Sequence, residues 1–306
     1  MAASDNTRGI IYMIVAMTTF TLNDTFMKLA TQTVPLSEAI AVRGSLTLVA
    51  LLVLARIMGI SQLVPATGDR KLMAMRTLGE VGATLTFLLA LRQMPLANLS
   101  AILQSLPLAV TLGAALLLKE KVGWRRMTAI LIGFSGVMMI VRPGTEGFNI
   151  WSVLALISVG FVVIRDLSTR QFSSNLPSVV IAIYSALAVT AMGYAGLALE
   201  SWKALATVEV LMLCAASAML IMGYLFIVMA MRVGDVSIIA PFRYTSLITA
   251  ILMGWLAFGA LPGGWTLAGA AVVVAMGLYT YMREHQLQRR IAASKSSLTG
   301  TATPDR

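Results

Sequence analysis

Long apolar stretches separated by short polar connections dominate the chain. They occupy 9–31, 36–58, 72–92, 96–118 and 124–141, and then 149–169, 177–199, 207–231, 236–258 and 264–282. Each stretch is close to the roughly 20 residues that a helix needs to cross the hydrocarbon core of a bilayer. Backbone polar groups find no water there, so each stretch is expected to be helical. The pattern predicts an all-α integral membrane protein with ten transmembrane helices.

The fourth and fifth stretches recur as the ninth and tenth. Ala109, Gly113, Trp124, Gly136 and Arg142 reappear 141 residues later as Ala250, Gly254, Trp265, Gly277 and Arg283. Each copy then holds five helices, an odd number, so the second copy enters the membrane upside down relative to the first. Inverted repeats of this kind are typical of secondary transporters. The spacing of small residues also predicts that the fourth and ninth helices cross closely.

This repeat divides the chain into four parts. They are a short N-terminal segment (1–8), a first five-helix repeat (9–144), a second five-helix repeat (149–283) and a basic tail (284–306).

Composition and charge agree with a membrane protein. Of the 306 residues, 58% are hydrophobic and only 12% are charged, which excludes an ordinary water-soluble globule. The net charge of +10 comes from basic residues in the connections rather than along one helix face, so it favours membrane topology over nucleic-acid binding. With the N-terminus inside, the outer connections hold only Arg92, Arg142 and Lys203. Both termini are therefore expected to be cytoplasmic.

Two segments carry a family resemblance. The stretch AILQSLPLAVTLGAALLLKEKVGWRRMTAILIGFSGVMMIVRPG (101–144) resembles the end of an EamA domain of the drug/metabolite transporter superfamily. The stretch APFRYTSLITAILMGWLAFGALPGGWTLAGAAVVVAMGLYTYMRE (240–284) resembles the closing EamA domain. The resemblance implies ten spans in two inverted repeats around a central cavity, and secondary transport in the inner membrane of a bacterium.

The chain departs from the family at one point. Members often have Gly-Glu after the fourth and ninth spans, whereas this chain has Lys119-Glu120 and Gly259-Ala260. The second acidic position is absent, so the outer end of the ninth span must be held in another way.

Charged residues inside the apolar stretches are the main functional candidates, because a charge in lipid is costly unless it faces protein or a water-filled cavity. Counting along the helices places Arg43, Glu80 and Arg243 near the bilayer midplane. Asp24 and Lys28 are four residues apart and share a helix face, where a structural ion pair is one interpretation. The other is that Lys28 extends to the outer interface and leaves Asp24 to Asn23, Thr25 or a basic group on another helix.

These midplane charges predict a substrate site. Arg243, and second Arg43, are the candidates for an anionic group, because a guanidinium binds a carboxylate with two donors. Glu80 would then bind a substrate ammonium or carry a proton across the membrane. Tyr244 and Gln104 would add polar and aromatic contacts, with Asp24 beside them. The competing interpretation is a buried charge network that only fixes the helices.

The function expected from these features is secondary active transport of a small polar metabolite, an amino acid or related organic ion. A riboflavin-like or nucleoside-like heterocycle, or a broad range of drugs and metabolites, is the alternative, and a membrane scaffold without transport is the reading from a different class. No enzyme constellation, cofactor motif or metal-ligand spacing is evident, and His285 lies alone in the tail. The expected partners are a small-molecule substrate and lipid, without nucleic acid; proton coupling and a monomer or homodimer stay open.

Overall fold

The computed structural model describes residues 2–60, 63–120, 122–144, 149–173, 176–233 and 236–300. Its first half contains α1 (Ala2–Ala30), α2 (Leu36–Ile57), α3 (Thr67–Gln93), α4 (Leu96–Leu103), α5 (Leu106–Leu117) and α6 (Trp124–Val141). Its second half contains α7 (Ile150–Thr169), α8 (Ser178–Gly196), α9 (Thr207–Val233), α10 (Val236–Ile239), a 3₁₀ turn (Ala240–Tyr244), α11 (Thr245–Phe258) and α12 (Gly264–Gly300). The described residues contain no β-strand, so the all-α prediction is confirmed.

Membrane spans follow the predicted apolar stretches closely. Among the described residues, nine helical stretches are long and apolar enough to cross a bilayer, α4 and α5 together counting as one. The remaining predicted span, 236–258, is broken into α10, the 3₁₀ turn and α11. The protein is thus a multi-pass membrane protein. The basic tail continues α12 as far as Gly300, and residues 301–306 lie outside the described residues.

Proline positions explain both breaks. Pro107 has no N–H to offer the carbonyl group of Leu103, and α4 ends at Leu103. Pro241 stands in the first turn of the 3₁₀ segment that separates α10 from α11. Because these two spans occupy equivalent places in the two repeats, each repeat contributes one broken span to the molecule.

Helices of the first repeat pack mainly against helices of the second. α1, the first helix of the first repeat, packs against α9, the third helix of the second repeat. α7 and α3 form the equivalent pair with the repeats exchanged. α2 packs against its own equivalent, α8, and α6 packs against its equivalent, α12. This pattern is that of an inverted repeat with a pseudo-two-fold axis between its halves. The largest buried apolar cluster draws on both repeats and includes Leu99, Ile102, Val137 and Leu213.

Glycines allow two of these pairs to approach closely. A Cβ added at Gly79 of α3 would lie 2.9 Å from the backbone nitrogen of Arg165 in α7. A Cβ added at Gly193 of α8 would lie 2.6 Å from the backbone nitrogen of Ala41 in α2. Small residues at such points let helix backbones pack against each other, as is common in membranes.

The predicted crossing of the fourth and ninth spans is present, but the small-residue motifs do not form it. Gly113 packs against Val163 of α7 instead. α4 and α11 meet beside their breaks, where the Gln104 amide donates to the Ser246 hydroxyl at 2.9 Å. The broken backbone, rather than the small-residue spacing, sets this crossing.

Candidate functional site

The buried guanidinium of Arg43 marks the centre of the candidate site. Arg43 lies on α2 with 8% of its surface exposed. Its Nη1 donates to Asn23 Oδ1 over a long 3.4 Å, and its Nε has no hydrogen-bond partner among the described residues. The Asn23 amide also donates to Asp24 Oδ1 at 2.9 Å, and Asp24 interacts electrostatically with Arg43. α1 and α2 therefore bring Asp24 and Arg43 together through Asn23.

Glu80 lies in a second charged group between α3 and α7. Its carboxylate is 3.7 Å from Arg76 on the same helix and 3.6 Å from Arg165 on α7. Arg165 also donates from Nε to the Asp166 carboxylate at 2.8 Å. The side chains of Arg76, Glu80 and Arg165 are 14%, 13% and 27% exposed, so this group borders accessible space.

Arg76 ties the same group to other helices. Its Nε donates to the Thr169 hydroxyl at 2.9 Å, and its Nη1 donates to the Ser185 hydroxyl of α8. The charged group around Glu80 thus joins one helix of the first repeat to two of the second.

Tyr224 of α9 connects the two groups. Its phenol interacts electrostatically with Glu80, Arg165 and Arg76 on one side and with Arg43 on the other. Its ring meets the ring of Phe20 edge-on, with centroids 5.5 Å apart. Tyr224 is 39% exposed.

Arg243 lies apart from this arrangement. It stands in the 3₁₀ turn with an exposed side chain, and its backbone carbonyl accepts from the Ser246 hydroxyl at 3.0 Å. Tyr244 turns toward α12, where its hydroxyl lies against Gly277. Gln104 is buried at the crossing of the broken spans, bonded to Ser246. The structure therefore brings Arg43, Glu80 and Asp24 together and leaves Arg243 and Tyr244 on the turn.

Lys28 does not pair with Asp24. Its ammonium group donates to the carbonyl oxygens of Leu91 at 2.5 Å and Met94 at 2.7 Å, at the end of α3. The ammonium also lies 5.4 Å from the ring centroid of Phe258. The predicted ion pair within α1 is therefore absent. The Lys28 ammonium lies instead at the carboxyl end of α3, where the helix dipole favours positive charge.

Sequence reasoning missed Arg76, Arg165 and Tyr224. The spacing of four residues between Arg76 and Glu80 was a usable signal, because such residues share a helix face. Arg165 lies near the end of α7, close to the connection that follows, and its side chain reaches back to Glu80. Tyr224 carried a weaker signal: it is an aromatic hydroxyl in mid-span, away from the interfaces where tyrosine is usual.

Comparison with known proteins finds similarity to membrane transporters. Residues 7–142 match the EamA-like transporter family. The chain is 34% identical over 191 residues to a riboflavin transporter of Vibrio cholerae, a match that covers 62% of this chain and 64% of that relative. The matched part is thus slightly less than two thirds of that relative's length.

Other relatives are named for different substrates. A pseudopaline exporter of Pseudomonas aeruginosa is 25% identical over 87% of this chain and 93% of its own length. An S-adenosylmethionine uptake transporter of Rickettsia felis is 26% identical over 64% of this chain and 66% of its own length. One solved crystal structure superposes with a TM-score of 0.60 at 19% identity, covering 92% of this chain and 98% of that one, which supports the fold.

Proposed function

We propose that this chain, which is similar to EamA-type transporters of the drug/metabolite transporter superfamily, is a secondary transporter for a small polar metabolite. It works in the inner membrane of a bacterium, with both termini in the cytoplasm, by alternating access between its two repeats. The substrate binds between the repeats at Arg43, where α1, α2 and α9 meet.

The incompletely bonded guanidinium of Arg43 carries this proposal. Within the described residues its hydrogen bonds are one long contact to Asn23 and none at Nε. A buried charge is costly unless it is paired and hydrogen-bonded. A ligand carboxylate would supply two acceptors in the fork geometry that a guanidinium presents. An anionic group on the substrate would therefore accept the hydrogen bonds that the Arg43 guanidinium does not make within the protein.

The neighbouring carboxylate supports a zwitterionic substrate. Asp24 interacts electrostatically with Arg43 and accepts a hydrogen bond from Asn23. A carboxylate beside a guanidinium offers one group for an ammonium and one for a carboxylate of the same ligand. An amino acid, or an organic ion that contains an amino-acid group, has this pair of charges.

A flat heterocycle is the second candidate. The Phe20 and Tyr224 rings lie beside the charged groups and offer aromatic surface to a planar ligand. Two relatives are named riboflavin transporters, from Vibrio cholerae and Rhizobium johnstonii. S-adenosylmethionine, named for the Rickettsia relatives, combines an amino-acid group with a planar adenine, so one site could serve both features.

Proton coupling is proposed at Glu80. Its carboxylate is held between Arg76 and Arg165, which belong to different repeats. Movement of α3 against α7 would separate Glu80 from Arg165 and change its surroundings within the cycle. Glu80→Gln is expected to remove the pH dependence of transport, and an unchanged pH profile would exclude Glu80 as the proton carrier.

Ligand binding to two arginine variants tests the site. The purified full chain would be screened by thermal shift with amino acids, S-adenosylmethionine and riboflavin, because a ligand of the folded state raises its apparent stability. Arg43→Gln is expected to weaken binding of the responding ligand by about tenfold or more, equivalent to about 1.4 kcal/mol. Arg243→Gln should leave the affinity for that ligand unchanged.

The pair of variants separates two placements of the site. Loss of binding in Arg243→Gln with retention in Arg43→Gln would move the substrate to the 3₁₀ turn and contradict the proposal. Asp24→Asn then sorts the substrates: it should weaken an amino acid and S-adenosylmethionine, whereas riboflavin has no ammonium and should be little affected.

A further inference from the structure

Two hydroxyl–carboxylate contacts join the repeats at opposite ends of the molecule. At one end, the Thr33 hydroxyl donates to Glu209 Oε1 at 2.6 Å. At the other, the Ser173 hydroxyl donates to Asp69 Oδ2 at 2.6 Å. We call these contacts the Thr33–Glu209 latch and the Asp69–Ser173 latch. Both carboxylate residues are buried, with 7% and 5% of their surfaces exposed.

The two latches are equivalent under the inverted repeat. Asp69 is the third residue of α3 and Glu209 the third residue of α9, and the two are 140 residues apart. Thr33 follows α1 and Ser173 follows α7, again 140 residues apart. In each latch a hydroxyl after the first helix of one repeat meets a carboxylate at the start of the third helix of the other.

Each latch must open if the space between the repeats is to reach that side of the membrane. The Thr33–Glu209 latch connects the α1–α2 connection to α9, and the Asp69–Ser173 latch connects the α7–α8 connection to α3. We propose that these latches are the two gates of the carrier, one for each side, and that they open in alternation. The proposal rests on the proposed alternating-access function, and both gates are closed in this structure.

The gates differ in strength. Lys203 donates from Nζ to Glu209 at 2.9 Å and to the Thr33 carbonyl at 3.1 Å. The backbone N–H of Lys203 also donates to buried Glu38 at 3.0 Å. At the other gate, the additional contact among the described residues is the Ser173 N–H to Asp69 at 3.1 Å. The Asp69–Ser173 gate, on the side of the N-terminus, is therefore expected to open more readily.

Side-specific labelling of a central cysteine tests the gates without knowledge of the substrate. The reporter is Ser246→Cys, at the crossing of the broken spans, in a Cys214→Ala background that removes the native thiol. A membrane-impermeant maleimide is applied to right-side-out and to inverted vesicles. Thr33→Val removes one hydroxyl with little change of shape, and Ser173→Ala removes the other.

Opposite shifts are the expected result. Thr33→Val should raise labelling from the side of the α1–α2 connection about tenfold, because a charge-assisted hydrogen bond closes that gate. Ser173→Ala should raise labelling from the side of the N-terminus. Thr33→Ser and Ser173→Thr keep the hydroxyl and should label as the parent does. Glu120→Gln, at an exposed carboxylate near Arg170 without a repeat equivalent, is a further control.

The outcomes separate the gates from the substrate site. Unchanged labelling in both hydroxyl-removal variants, or a shift toward the same side in both, would overturn the gates even if the carrier binds and transports its ligand. Opposite shifts would support the gates even if no ligand responds to Arg43→Gln, in which case the substrate assignment alone fails. Each variant's melting temperature confirms that the labelled protein is folded.

Discussion

The ammonium group of Lys28 lies against the last carbonyl groups of α3. The final carbonyls of a helix have no partner within it, so they need donors from elsewhere when they are buried. Lys28 supplies them to Leu91 and Met94 while only 8% of its surface is exposed. At residue scale, this charge inside an apolar helix serves the structure, because it closes the end of α3 against α1.

Lys28→Met tests that role. The substitution keeps the length of the side chain but leaves two buried carbonyl oxygens without their donor. We expect the free energy of unfolding to fall by about 3 kcal/mol, from the loss of charged hydrogen bonds. Chemical denaturation in detergent measures it. Lys71→Met, at an exposed position in α3, is the control and should cost little; an equal loss in both variants would contradict the capping role.

Residue depth could be predicted from the sequence, but residue direction could not. Counting along helices placed Arg43, Glu80 and Arg243 at similar depth, and Arg43 and Glu80 do interact. Arg243 instead lies on the 3₁₀ turn that contains Pro241, with an exposed side chain. The position of Tyr224 depends equally on how α9 packs between its neighbours. The depth of a residue in the bilayer follows from its position along its helix. The direction in which its side chain points depends on how helices distant in the sequence pack together.

At the scale of elements, two helix ends show how the chain replaces a family motif. α5 and α11 both end with a residue in the left-handed region, Lys119 at φ 55° and Gly259 at φ 62°. The next N–H in each case reaches back six residues, from Glu120 to Ala114 at 3.2 Å and from Ala260 to Gly254 at 3.0 Å. These are equivalent helix ends with a left-handed residue, one with glycine and one without.

Lys119→Gly should therefore stabilise the protein. A residue with a Cβ in the left-handed conformation costs about 1 kcal/mol relative to glycine. Because Lys119 is exposed, its replacement removes no buried contact. We expect a higher melting temperature for Lys119→Gly and no gain for Lys119→Ala, which also removes the charge but keeps the Cβ. An equal gain in both variants would assign the effect to charge instead of backbone conformation.

The bounds of the elements followed from the sequence more closely than their breaks did. The predicted stretch 36–58 became Leu36–Ile57, and 124–141 became Trp124–Val141. These bounds follow from the thickness of a bilayer and from prolines that precede helices, such as Pro35. A continuous helix over 236–258 was wrong, because hydropathy reports where a segment lies and not whether its hydrogen bonds are continuous.

At the scale of the whole molecule, the repeats are two halves of one packed body. Four large helix pairs, α1 with α9, α2 with α8, α3 with α7 and α6 with α12, join one repeat to the other. Ion pairs and both latches cross the same boundary. The main packing contacts of each half are therefore made with helices of the other half, and few large contacts lie within one half.

The two halves should consequently need each other to fold. A chain divided after Gly144 can be expressed as residues 1–144 and 145–306, each with a different affinity tag. We expect the halves to purify together when co-expressed and to melt as one unit, because the principal helix pairs lie between them. Expressed alone, each half should aggregate or be degraded, since its apolar pairing faces are exposed. A folded, monodisperse first half with its own sharp thermal transition would show that the repeats are independent domains, and the exchange of helix partners would then be a docking contact between them.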